Sequence, residues 1–176
     1  GAEEFVALRQ SQRPTALLLS RQNLPYLAKP TSSVSPNASG LDAIAHGAYI
    51  VAEPDQVGMR RQAQAVILAT GSEVALALQA QKLLAQRDIA VRVVSMPSTT
   101  TFDRQSVAYK RAVLPDGLPR VAVEMGVTDF WWKYGVAAVV GIDTYGESAP
   151  ASVLFKHFGF TAENVADTVH QALLNA

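Results

Sequence analysis

From residue 41 to its end, the chain alternates short apolar runs with amphipathic stretches. Residues 47–53 predict a strand, with Ala48, Tyr49, Ile50 and Val51 suited to a sheet. Residues 64–69 hold the fully apolar run Val66-Ile67-Leu68, and Thr70-Gly71-Ser72 punctuates it. Residues 73–86 predict a helix whose broad apolar face carries Val74, Leu76, Leu78, Leu83 and Leu84. A strand follows over 89–95, stopped by Pro97, then a helix over 102–113 and a strand over 120–124. Residues 131–134 read as a helical turn and 137–142 as a strand. Pro150 suits the first turn of a helix through Phe158, and Thr161 suits the cap of a last helix through Leu174. Continuous apolar strands between amphipathic helices point to a largely parallel sheet covered on both faces.

The first forty residues read differently. Residues 2–10 place Phe5 and Leu8 on a plausible helix face, ended by Arg13-Pro14. The apolar residues 15–19 then predict a buried strand through Ser20. After it come Pro25, Pro30, Pro36 and Gly40, with four serines and a threonine between Thr31 and Ser39. So long an aperiodic stretch is unusual inside a compact domain, and it marks a domain boundary. The expected division is residues 1–22 as the end of a preceding domain, 23–40 as linker and 41–176 as a domain of its own. Without an initiating Met, Gly1 reads as a cut point rather than a natural start.

Composition narrows the classes. Hydrophobic residues make up 49% of 176, enough for a sizeable core. Fifteen basic and fifteen acidic side chains cancel, so the basic excess usual in nucleic-acid binders is missing. There is no cysteine, which excludes disulfides and thiolate metal sites. No apolar run approaches the roughly 20 residues that span a bilayer, and no signal peptide is visible. A cytoplasmic location is the plain reading.

Several groups are candidates for chemistry, each with a structural alternative. The loop around Gly71 can cradle a phosphate or nucleotide on the amides of a helix N-terminus. It can equally be a tight turn with Ser72 as cap, and Glu73 would then repel an incoming phosphate. Gly146-Glu147-Ser148-Ala149-Pro150 lacks the spacing of a nucleophile elbow and reads as a helix start, with Ser148 as cap and Pro150 inside the first turn. His46, His157 and His170 are scattered without ligand-like spacing. Glu124 and Asp129 are a candidate acid/base pair, or Glu124 satisfies loop amides or a partner chain. The cluster Phe130-Trp131-Trp132-Tyr134 cannot turn both tryptophans into one helical face, so one of them lies at the core rim or at a subunit contact. Arg21, expected where a strand ends, offers a permanently charged fork of donors suited to phosphate or carboxylate. The alternative is a surface ion pair.

The segments TALLLSRQNLP (15–25), LATGSEV (68–74), VRVVSMPSTTTFDRQ (91–105), YKRAVLP (109–115) and YGESAPASVLF (145–155) resemble, in order, the C-terminal part of transketolases. The resemblance covers nearly the whole chain. It implies a three-layer α/β/α domain with a five-stranded mixed sheet, one strand antiparallel, for which residues 47–53 are the candidate. It also implies that residues 1–22 are the last helix and strand of a pyrimidine-binding domain. The family enzyme is a homodimer of the pentose phosphate pathway. It uses thiamine diphosphate and a divalent cation, Mg or Ca, to move a two-carbon ketol unit between sugar phosphates. In that family the arginine of the Ser-Arg-Gln stretch helps hold the substrate phosphate, a role that falls on Arg21. The resemblance supplies no catalytic, cofactor or metal residue here, because the glutamate and histidines of the family site match no position of this chain. The expectation is therefore a part active only with the rest of the enzyme. The rivals are an anion- or nucleotide-binding regulatory module at Gly71 and a purely structural dimerisation domain. Residues 54–61 look like an insert.

Overall fold

The structure, a computed structural model, describes residues 16–20, 23–27, 40–56 and 59–176. In chain order it contains α1 (Gly40–Ala45), β1 (Tyr49–Ala52), β2 (Asp55–Gln56), β3 (Met59–Arg60), β4 (Ala65–Ala69), α2 (Glu73–Gln86) and β5 (Val91–Ser95). There follow α3 (Thr99–Asp103), α4 (Val107–Val113), β6 (Arg120–Val123), a 3-10 helix (Asp129–Tyr134), β7 (Ala138–Val140), α5 (Ala151–His157) and α6 (Ala162–Leu174).

The main sheet has the order β1-β5-β4-β6-β7. β1 runs antiparallel to β5, and the other neighbours are parallel. This is the expected five-stranded mixed sheet, and its odd strand falls within residues 47–53. Both faces are covered, and the central strand β4 is apolar and buried at every position. In β4, Ala65, Ile67 and Ala69 point into a core with α2 and α6, while Val66 and Leu68 join Phe102, Val113 and Trp131 on the other side. The period of two sends alternate residues to opposite layers.

Several expectations need correction. The strand through Ser20 does not form over its described residues 16–20, and it is not buried: Leu17, Leu18 and Leu19 are 44%, 92% and 70% exposed. A strand exists only through a ladder partner, and among the described residues no strand pairs with this stretch. The expected helix over 2–10 lies outside the described residues. The single helix over 102–113 is two, because serines cap separate starts. Ser98 accepts from the Thr101 amide at 3.4 Å and Ser106 from the Tyr109 amide at 3.2 Å.

Ser72 does not cap α2. Its backbone is already helical (φ −65°, ψ −28°), which keeps its hydroxyl from the amides a turn ahead. Ser148 does not cap α5 either: Pro150, with ψ 141°, holds that position, and the helix begins at Ala151. Thr161 does cap α6, accepting from the Asn164 amide at 3.2 Å from an extended backbone. α1 and the β2–β3 hairpin, which falls in the insert-like segment 54–61, had no sequence expectation.

Candidate functional site

The sheet order creates one preferred crevice. The chain leaves β4 for β5 on one side and later returns to β6 on the other. Above the carboxyl ends of β4 and β6 the loops therefore part, and in open α/β sheets ligands bind at such a point. The loop after β4 is Thr70-Gly71-Ser72, and that after β6 runs through Glu124, Met125 and Gly126. Gly71 takes φ +54°, a conformation that favours glycine.

At this point stands a buried carboxylate, Glu73, only 4% exposed. It accepts a hydrogen bond from Ser72 Oγ at 2.6 Å. Burial, above all, pushes its pKa up, and the Glu124 charge adds to the rise. The Ser72 hydroxyl, the Met125 amide and its own amide act in the opposite direction. A buried carboxyl group thus stands beside the Gly71 loop, where an anion would have to bind. This counts against a phosphate or nucleotide cradle at Gly71 and agrees with the charge argument from sequence.

Glu124 does not pair with Asp129. Its Oε2 accepts from Trp131 Nε1 at 2.8 Å, while Asp129 is exposed at the start of the 3-10 helix. The two tryptophans separate as one helical face requires. Trp131 is fully buried among Phe130 and Tyr134, and Trp132 is 50% exposed. The loop after β6 is tied further by Asp143, whose carboxylate accepts from the Thr128 amide and hydroxyl, each at 2.8 Å.

Arg21 lies outside the described residues, but residues on either side of it are described. Ser20 Oγ lies 3.8 Å from the position a Cβ would take on Gly71, so the residue before Arg21 rests over the crevice loop. Asn23, Leu24 and Pro25 form one wall of a groove of about 480 Å³, opposite Ala75 and Leu76 of α2 and Phe155 of α5. No sequence pattern announces this placement, since it joins an aperiodic stretch to a helix far along the chain.

The remaining candidates are not brought together. His46 Nδ1 donates to the Asp42 carbonyl at 2.6 Å and its ring stacks on Tyr109 at 4.5 Å; His157 lies edge-on to Phe158. His170 is on α6. Glu147 and Ser148 belong to an exposed loop, residues 143–150. Among the described residues no three His, Asp or Glu side chains are grouped so as to hold a metal ion. Among them, too, no helix is long and apolar enough to cross a membrane.

Comparison with known proteins bears on the same features. The model of the transketolase-like TK C-terminal domain family matches residues 47–161. Transketolase 2 of Aliivibrio fischeri is 44% identical over 171 residues, covering 96% of this chain and 24% of that protein. A solved transketolase from Leishmania mexicana superposes with a TM-score of 0.70 at 44% identity, over 79% of this chain and 20% of its own. A Pichia stipitis transketolase solved in complex with sedoheptulose 7-phosphate gives 0.74 at 38% identity, over 88% and 20%. The chain thus spans about a quarter of the length of the curated relative, 24% by residue coverage. With its matched residues taking in the sheet, the odd strand and the crevice loops, the chain belongs to the transketolase-like C-terminal domain family.

Proposed function

We propose that this chain is the C-terminal part of a transketolase and that it works only with the rest of that enzyme. The whole enzyme would transfer a two-carbon ketol unit between sugar phosphates, as a cytoplasmic homodimer. Thiamine diphosphate and the Mg or Ca ion would be held by parts other than the residues described. Residues 1–22 would end the pyrimidine-binding domain, 23–40 would link, and 41–176 would form the C-terminal domain.

Within that enzyme Arg21 binds the substrate phosphate. The observation that carries this reading is the position of Ser20 over Gly71, at the carboxyl end of β4. The exposure of Leu17, Leu18 and Leu19 also supports it, since an apolar run without a ladder partner suits a strand completed by another domain. The relative in complex with sedoheptulose 7-phosphate supplies the substrate class.

Arg21→Ala in the whole enzyme tests the assignment. A charge-assisted bond contributes about 1.5–3 kcal/mol, so KM for phosphorylated sugars should rise about 10- to 100-fold. Cofactor affinity and turnover of an unphosphorylated ketol donor should hold. An unchanged KM for phosphorylated sugars refutes the role. Ketol transfer by the 176 residues alone would refute the proposed division of labour.

A further inference from the structure

The insert-like segment 54–61 leaves the sheet and returns to one place. Asp55 of β2 pairs with Arg60 of β3, which brings Pro54 and Arg61 side by side. Both line a cavity of about 240 Å³ to which the transketolase reading gives no role. We propose that this cavity binds a small monoanion with an apolar body, of the size of benzoate, with Lys82 and Arg61 meeting its anionic group.

The cavity lies at the amino end of β5, where Val91 forms part of its wall, at the opposite end of the sheet from the crevice loops. Its lining is mainly aliphatic, with Ala52 and Pro54 on one side and Ala85 and Ile89 around the end of α2 on the other. The walls are fixed without a ligand. Gln81 of α2 donates to the carbonyls of Glu53 and Val91, at 3.3 and 2.8 Å, and so ties the helix to the ends of two strands. The Gln64 amide donates to the Ala90 carbonyl at 2.7 Å, and the Ala90 amide to Gln64 Oε1 at 2.8 Å. The turn out of α2 passes through Asp88 at φ +62°, and Arg61 Nη1 holds that residue's carboxylate at 2.6 Å. Ligand sites are commonly pre-formed in this way, apolar with a few placed polar groups.

Charge decides the class of occupant. Glu53, the carboxylate that lines the cavity, is matched by Arg92, whose Nε and Nη2 donate to its two oxygens at 3.0 and 2.8 Å. Asp88 is matched by Arg61. Lys82 lines the cavity as well, and among the described residues no carboxylate pairs with it. Arg61 engages Asp88 through Nη1, which leaves the rest of its fork to a second acceptor. The surplus is one positive charge beside an aliphatic wall, so an anion with an apolar body is matched and a cation is repelled. Volume sets the upper limit. Sites for drug-sized ligands run to about 300–1,000 Å³, so this smaller cavity admits a molecule of about ten heavy atoms and excludes a nucleotide.

Titration of the 176-residue chain with benzoate, followed by amide NMR and calorimetry, tests the site. Benzoate should saturate with a Kd of about 1 mM or tighter, with shifts centred on Ala85, Ile89 and Val91. Ala85→Leu fills the cavity from an exposed helix position and should abolish saturation, with circular dichroism and urea midpoint matching the parent. Lys82→Gln should raise the Kd about fivefold, and benzyl alcohol, a similar body without the charge, should bind the parent about fivefold more weakly than benzoate. Inorganic phosphate, a charge without the body, should not saturate. No saturation by benzoate up to about 20 mM, shifts centred elsewhere, or saturation that survives Ala85→Leu overturns the site. Benzyl alcohol binding as tightly as benzoate, or a silent Lys82→Gln, overturns the anionic half of the assignment. Phosphate saturating the same amides overturns the apolar half.

Discussion

Glu124 and Trp131 are joined by one hydrogen bond, from the indole Nε1 to a carboxylate oxygen at 2.8 Å, across the loop that leaves β6. Trp131 is among the largest fully buried side chains. Its N–H has no water to turn to, so the carboxylate is its partner and also anchors the crevice loop to the 3-10 helix. Glu124→Ala should cost about 1–3 kcal/mol by orphaning that donor, and Glu124→Gln, which keeps an acceptor, clearly less. Trp131→Ala should cost about 3–5 kcal/mol through the cavity. Urea unfolding of the three variants checks the order, and an Ala variant as stable as the parent would show the bond to be idle.

Much of this was legible in the sequence. The helix Glu73–Gln86 was read to the residue because its apolar positions follow the helical period and a Gly-Ser turn precedes it. The run ending at Ala69 was read as a strand because nothing polar interrupts it. The break between α3 and α4 is hidden in the sequence because apolar residues recur on both sides of Ser106, whose hydroxyl caps the second start. The Glu124–Trp131 bond was missed because the 3-10 helix turns every three residues, which places its side chains differently from an α-helix. Contacts distant in sequence, such as Ser20 over Gly71, leave no periodic trace at all.

Glu73 should make stability fall with rising pH. Its folded pKa lies above the unfolded value of about 4.3, chiefly through burial. A raised carboxyl pKa means that the contribution is fully present below the unfolded pKa and is lost as pH rises through the folded one. Glu73→Gln cannot ionise, so its stability relative to the parent should improve between pH 4 and neutrality. Urea midpoints for both proteins across that range decide the matter, and parallel profiles would mean that Glu73 ionises in place without cost.

Arg92 and Arg120 both pair with Val66 in the sheet register, one from β5 and one from β6. They converge on the end of α4. Arg92 donates to the carbonyls of Ala112 and Val113, and Arg120 to those of Leu114 and Pro115. Arg120 also donates to the Tyr134 carbonyl at 2.6 Å, closing the 3-10 helix. Arg120→Met keeps the bulk and leaves these half-buried carbonyls without a charged donor. It should cost about 2–3 kcal/mol, with Arg120→Lys intermediate because an ammonium cannot reach all three. Thermal unfolding measures this, and a loss below about 0.5 kcal/mol would mean that water replaces the guanidinium.

Trp132 is the tryptophan the core leaves out, half-exposed beside its buried neighbour. A large aromatic in that position has little to do for the fold of one chain, but it suits a contact between subunits, where tryptophan is enriched. Trp132→Ala should therefore leave unfolding of the single chain within about 1 kcal/mol of the parent, the range for substitutions that open no cavity. In the whole enzyme it should weaken self-association, seen in sedimentation as a dimer that dissociates at higher concentration than the parent. Unaltered self-association would remove Trp132 from the interface, and a large loss of single-chain stability would show that its exposed half still braces the aromatic cluster.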